Sequence, residues 1–412
     1  MNRTLKYIAL ALVASLATAC ISDDSDLSQY MNGGTTPPDP EIVPIEIALD
    51  YSELAEDDDV VPTDMTDPYY NDYFENDDFV YDVYIDYDET GVTVSGMLSR
   101  VYYTVEGGHV TLTSTSGKMH FILSGECSDA SLKVYSENKY MLTLNDVNIT
   151  NPNGAAINNQ CGKSLYLMLP EGTNNTLTDG ANYVYDGDED MKGTLFSEGQ
   201  VIFAGRGTLN VNSNSRNGIA SDDYIRVRPG VKINVNSTAG HGIKANDGVM
   251  IDGGVINMQI SAAGAKGIRC EKHVEIAGGR TTIIATGGSK VTQDALLAEN
   301  DTTSSAGIKC DSILTVTGGL LAIKNTGESG KGINALQDIT ISGGVVKVVV
   351  TGEKMLLSPK GIKSGTVMTI TGGSVYSYSA YSDPIDADAG WTTATGYTEF
   401  TNVPRLFYIT YP

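Results

Sequence analysis

The five cysteines of the 412-residue chain, Cys20, Cys127, Cys161, Cys270 and Cys310, form no CxxC pair, which removes zinc-ribbon and dithiol redox frameworks. Histidine is scarce, limited to His109, His120, His241 and His273. There is no Gly-x-Ser-x-Gly elbow and no paired-Asp motif of the kind β-helix glycosidases use, so no dedicated hydrolytic constellation is visible. Tryptophan occurs once, at Trp391. Lys and Arg are absent from residues 21–90, which hold 22 Asp or Glu, whereas residues 91–412 hold 29 acids against 25 bases. The formal charge of −24 therefore sits in one N-terminal segment, and the balanced remainder offers nothing to nucleic acid.

The apolar run Tyr7–Ala19 is shorter than the ~20 residues a helix needs to cross a bilayer. With Arg3 and Lys6 before it and Ala17-Thr18-Ala19 at its end, it reads as an export signal over residues 1–19. Cleavage there leaves Cys20 first, resembling the lipobox of bacterial lipoproteins, although Ala17 stands where Leu is usual. The acidic stretch Ile21–Asp26 resembles the tag that sends some Gram-negative lipoproteins to the outer face of the outer membrane. A lipid-anchored, cell-surface protein is expected, with the membrane reached through the anchor alone. Residues 20–65, with Gly33-Gly34, Pro37-Pro38 and Asp57-Asp58-Asp59, read as an acidic disordered tether. Residues 66–90 interleave Tyr with acids, and the alternation in Val80–Tyr87 predicts a strand that caps or pairs with an edge.

Beyond residue 91 the chain is repetitive. A Gly-Ile pair recurs at Gly218, Gly242, Gly267, Gly307, Gly332 and Gly361, at spacings of 24, 25, 40, 25 and 29. Eleven residues after each comes a turn: Gly253, Gly278, Gly318, Gly343 and Gly372 open Gly-Gly pairs, and Pro229-Gly230 takes the first place. Before each turn stand two apolar positions with mostly polar neighbours: Ile225/Val227, Val249/Ile251, Val274/Ile276, Leu314/Val316, Ile339/Ile341 and Met368/Ile370. Period-two alternation marks strands with one buried face, and identical columns mean in-register stacking ~4.8 Å apart. A rung of this length is too short for a βαβ unit, which needs ~30 residues. The expectation is an all-β solenoid, a right-handed parallel β-helix over residues 91–412 with rungs of about 24 residues. An insertion near Lys290–Ser305 should protrude. Cys270 and Cys310 fall in one inward column, where buried thiols or a vertical disulfide would both fit.

Three stretches carry a family resemblance: Tyr140–Thr150 (YMLTLNDVNIT), Leu167–Gly180 (LMLPEGTNNTLTDG) and Gly205–Val211 (GRGTLNV), followed by the Gly-Ile and Gly-Gly rungs. Over roughly residues 105–390 the chain resembles a bacterial family of carbohydrate-binding domains. The resemblance implies a pectate-lyase-like β-helix at the cell surface that binds polysaccharide and often contains calcium. Family rungs often carry Asp just before Gly-Ile. Here that column holds Asn217, His241, Lys266, Ala306, Lys331 and Lys360.

Two basic columns result, since the position two after each Gly holds Lys244, Arg269, Lys309 and Lys363, with Ala220 and Asn334 as exceptions. A ladder stepping ~4.8 Å is near the length of one sugar in an extended chain, and Lys and Arg donate charge-assisted hydrogen bonds to carboxylates. His241, Lys244, Lys266, Arg269, Lys309, Lys331, Lys360 and Lys363 are thus the expected polysaccharide contacts, uronate polymers the expected ligand, and pairing with Asp222, Asp247, Glu271 or Asp311 the competing use. For calcium, the candidate carboxylates are Asp186, Asp188 and Asp190, then Asp383, Asp386 and Asp388, although neither cluster has EF-hand spacing. The alternatives are a calcium-dependent polysaccharide lyase, in which a basic Lys or Arg removes a proton beside a uronate carboxylate, and a structural or adhesive surface protein. Tyr376, Tyr378, Tyr381, Trp391 and Tyr397 are expected to cap the C-terminal end.

Overall fold

The computed structural model describes residues 42–55, 59–185, 187–293 and 300–412. Cys20 and the signal lie outside the described residues, as does Asp186. Apart from short 3-10 turns such as Tyr70–Asp72 and Phe74–Asn76, the regular structure among the described residues is all strand, and the fold is a right-handed parallel β-helix.

Each rung has three strands. Asn217–Ser221, Tyr224–Val227 and Lys232–Ser237 make one, and Ile243–Ala245, Gly248–Ile251 and Val255–Ile260 stack on it as the next. The pairing is parallel and in register: Ile219 faces Ile243, Ile225 faces Val249 and Ile233 faces Ile256. Residues Ile219, Ile243, Ile268, Ile308, Ile333 and Ile362 are all fully buried, as are the paired apolar positions before each turn. Stacking thus removes an entire aliphatic column from water, at about 25 cal/mol per Å² of apolar surface.

Two glycine columns have distinct causes. A Cβ at Gly218 would stand 2.5 Å from Val235 Cγ1 and 2.7 Å from the Gly242 carbonyl oxygen, so the rungs approach too closely for any side chain. In the Gly-Gly turns it is the second residue that needs glycine, since Gly254, Gly279, Gly319, Gly344 and Gly373 have φ of +78°, +69°, +70°, +71° and +73°.

Cys270 faces Cys310 in register. Both are free, buried thiols, and burial first of all raises them to about 11 and about 12. The insertion is an antiparallel ribbon, Lys290–Gln293 against Asn300–Thr303. Both ends of the coil are closed. Tyr81–Asp88 pairs parallel with Met119–Cys127 and antiparallel with Gly91–Gly96. At the other end, Leu406–Thr410 turns back antiparallel on Ser374–Ser379, and the rings of Trp391, Phe400 and Phe407 pack edge to face beneath Tyr397.

The stretch read as a solvated tether needs correction where it is described. Residues 45–53 lie along the coil, and Asp59 is fastened to it. Ile47 is 5% exposed, the Ile45 N–H donates to the Tyr376 hydroxyl at 3.3 Å, and Asp59 pairs with Arg228 at 2.7 Å. The segment's surplus acids are complemented by coil cations that are distant in sequence.

Candidate functional site

Register turns the basic positions into true ladders. Lys244, Arg269, Lys309, Asn334, Lys363 and Asp386 follow one another on successive Gly-Ile strands, and Lys266, Ala306, Lys331 and Lys360 do the same one column away. All eight proposed contacts therefore lie on one side of the coil, but their environments differ sharply.

His241 is not a cation. Burial, then Lys266, Arg269 and Lys244, push its ring down to about 3, and its Nδ1 accepts the Lys266 backbone N–H at 3.0 Å. It is a neutral rung clamp. Much of the second column is neutralised in place: Lys244 pairs with Glu271 at 3.5 Å, Arg269 and Lys309 share Asp311, and Lys363 meets Asp386 at 3.2 Å and Asp388 at 2.8 Å. Lys360 likewise meets Asp383 and, at 3.2 Å, Asp386. For these residues the competing use, pairing with neighbouring acids such as Glu271 and Asp311, is the one the fold adopts.

The middle of the site is different. Lys266 is 7% exposed, its ammonium donating to the Gly264 carbonyl and, at 2.9 Å, to Thr303 Oγ1 at the base of the inserted ribbon. Burial, then Arg269, Lys309 and Lys331, lower it to about 8. Burial also lowers Lys309 and Lys331, and for Lys331 the further causes are Lys309, Lys363 and Lys360. No side-chain partner for Lys331 is present among the described residues. Between Lys266 and Lys331 stands Ala306, which leaves the interval of about 10 Å, two rungs, with only a methyl group in that column. Arg269 and Lys309 share Asp311 there, whereas Lys266 and Lys331 have no carboxylate at ion-pair distance among the described residues. An anion entering this notch would relieve mutual repulsion that the fold maintains.

The carboxylate clusters are arranged otherwise. Asp188 is exposed and Asp186 lies outside the described residues. Asp190 instead joins Glu198 and Asp222, ligand atoms lying within 4.8 Å of one another. Lys192 fills that cluster, its ammonium 2.7 Å from Asp190 and 2.6 Å from Asp222. Burial, then Asp222, raises the Glu198 carboxyl. At the C-terminal cluster, the Asp386 carboxyl is held low although burial opposes it, because Lys360 and Lys363 outweigh that burial. At both places ammonium groups lie among the described carboxylates, Lys192 beside Asp190 and Asp222, and Lys360 and Lys363 beside Asp383, Asp386 and Asp388.

Sequence reasoning missed Arg226 and Arg228. Arg226 bonds Asp72 at 2.9 Å and Asp252 at 2.6 Å. The Arg228 side chain is 2% exposed and bonds Asp59 at 2.7 Å and Glu75 at 2.8 Å, its guanidinium 4.1 Å from the Tyr73 ring centre. Their position beside the buried pair Ile225 and Val227 gave no hint of remote acids.

A family model described as "Carbohydrate-binding domain-containing protein" matches residues 106–264 and 267–403. A relative of the same description from Acetivibrio thermocellus is 30% identical over 114 residues, 27% of this chain and 40% of its own length, so the chain spans about two-fifths of that curated relative. A solved structure titled as the polysaccharide lyase-like protein from C. thermocellum, in a gadolinium derivative, is 24% identical, with a TM-score of 0.47 over 70% of this chain and 96% of its own.

Proposed function

We propose, from the premise that this chain belongs to the carbohydrate-binding domain-containing protein family, that it binds an extended acidic polysaccharide along the Gly-Ile side of the coil. The observation that carries the reading is the notch at Ala306, flanked in register by Lys266 and Lys331, two cations without an ion-pair partner among the described residues, with Lys309 beside them. A uronate polymer brings one carboxylate per sugar, and a rung step of ~4.8 Å places cations at about that repeat. A charge-assisted hydrogen bond from Lys331 would fix the polymer. The paired residues Lys244, Lys309, Lys360 and Lys363 would contribute less, since each must first give up an acid.

We further propose that the chain is exported and anchored through Cys20, presenting this surface outside the cell. Replacing Cys20 by Ala should release the protein from membrane fractions; continued retention there would remove the anchor.

Binding is tested by retention on polygalacturonate and alginate against neutral glucans, across a salt gradient. Lys331→Ala should weaken retention about tenfold, the worth of a hydrogen bond to a charged group, and flatten the salt dependence. Lys244→Ala should change it less than threefold, as for an exposed pair. Equal effects would remove the notch from the account. A lyase is the second reading, supported by a lysine at about 8 that is partly unprotonated near neutral pH and so able to take a proton beside a carboxylate. New absorbance near 235 nm during incubation, about the range of unsaturated uronates, would select it. Its absence with retention selects binding.

A further inference from the structure

A second charged groove lies on another side of the coil, beneath residues 45–53. These residues run along the coil axis, crossing the third strand of successive rungs. The Glu46 carboxylate meets Lys324 at 2.6 Å, Asp50 meets Arg280 at 3.1 Å and Glu53 meets Lys232 at 2.7 Å. Asp50 to Glu53 spans about 10 Å of extended chain, and Arg280 and Lys232 stand two rungs apart, also about 10 Å. The spacing of carboxylates thus matches the spacing of cations along the axis. Between them, Asn257 takes both edges of the Asp50 peptide, accepting its N–H at 3.2 Å and donating to its carbonyl at 3.0 Å.

The two sides of this contact are unequal. Glu46 and Glu53 are 79% and 81% exposed, whereas Arg280 is nearly buried at 8%. Among the described residues, Arg280 Nε has no hydrogen-bond partner, although it is buried. The cations belong to a built groove, and the acids rest on it. No strand pairing holds residues 45–53 to the coil; Ile47 is buried and the Arg280 guanidinium donates to the Asp50 and Ser52 carbonyls, while the pairs made by the exposed Glu46 and Glu53 contribute little. Farther along, Asp59, Asp72 and Glu75 are locked onto Arg226 and Arg228, so the segment is anchored at one end by buried charge pairs, while residues 45–53 rest on the coil through side-chain contacts without a ladder.

We propose that residues 45–53 are a displaceable internal occupant of a second polyanion groove, and that an extended uronate polymer takes their place on Lys232, Arg280 and Lys324. The ligand class rests on the acidic-glycan reading above; the groove does not, because it shares no residue with the Ala306 notch. Beside Glu53, Leu54 and Ala55 the groove widens into a 420 Å³ cavity that reaches Asn174 and Glu171, with Lys232 in its wall.

The test uses the full chain and immobilised polygalacturonate. The variant Glu46→Gln/Asp50→Asn/Glu53→Gln should be retained about tenfold more tightly, since all three cations lose their internal carboxylates. The gain should vanish when Lys232→Ala and Lys324→Ala are added. A control, Glu89→Gln/Glu106→Gln/Glu353→Gln, removes equal charge from other exposed sites. Unchanged or weaker retention of a strap variant with a normal thermal melt would overturn the proposal. So would an equal gain in the control, or a gain that survives loss of the two lysines. Repeating the series with Lys309→Ala/Lys331→Ala separates the readings: a strap gain there stands whatever becomes of the notch.

Discussion

Arg228 and Lys331 are both cations on the outside of one coil, yet they occupy opposite electrostatic states. Arg228 is enclosed by two carboxylates from a distant stretch of chain and by the rings of Tyr73 and Phe74. Lys331 is half-buried among other lysines, and its ammonium is held below the usual range. A structural cation has its partner supplied by the fold. A binding cation is one the fold leaves to be neutralised from outside, at some cost to its own ionisation.

The comparison breaks most visibly at Arg228. Replacing it by Ala leaves Asp59 and Glu75 without a partner and should lower stability by about 3 kcal/mol, at the low end for a broken buried pair because both acids reach solvent. Chemical denaturation and proteolysis after residue 75 report it. Lys331→Ala, by contrast, removes a repelled charge and should leave the midpoint unchanged or slightly higher. Similar losses at both positions would erase the distinction.

A smaller effect, sharper in sign, comes from pH. Lys266 is lowered to about 8 in the folded chain, against about 10.4 when unfolded. Between these values the unfolded chain binds more protons, so stability rises with pH across that window. Affinity for a polycarboxylate should fall over the same range, because the ammonium is being lost. Lysines held above their usual values, Lys192, Lys360 and Lys363, lose their stabilising charge only at higher pH. Opposed trends in melting temperature and retention from about pH 8 to 10 are expected, and Lys266→Met should flatten both. Parallel trends would mean that Lys266 plays no part in binding.

What was legible in the sequence follows from range. The Gly-Ile and Gly-Gly columns repeat because each rung meets the next through the same atoms, so the register of Lys266, Ala306 and Lys331 could be read directly. The ion pairs could not be read that way. Asp311 serves Arg269 and Lys309 from its own rung and the next, a choice set by side-chain reach and not by period. Asp59 and Glu75 meet Arg228 across more than 150 positions, where no repeat links them. One local signal was present: Ile45, Ile47 and Leu49 alternate with Glu46 and Ala48, the period of an extended segment with one covered face. The acidity of the surrounding segment hid it.

The smallest predicted effect concerns calcium. Asp190, Glu198 and Asp222 resemble a metal cage in geometry alone, and the Lys192 ammonium already supplies the positive charge they need. Calcium should therefore leave the melting temperature of the native chain within error. In Lys192→Met the three carboxylates face one another unshielded, Glu198 already held above its ordinary value by burial and by Asp222. That variant should be destabilised without metal and recover on adding calcium, since binding to the folded state alone stabilises by mass action. Equal calcium responses in the native chain and the variant would instead make Lys192 a bystander. The contrast repeats that between Arg228 and Lys331 with the signs exchanged: an acidic cluster closed by an internal cation, beside a basic cluster left open.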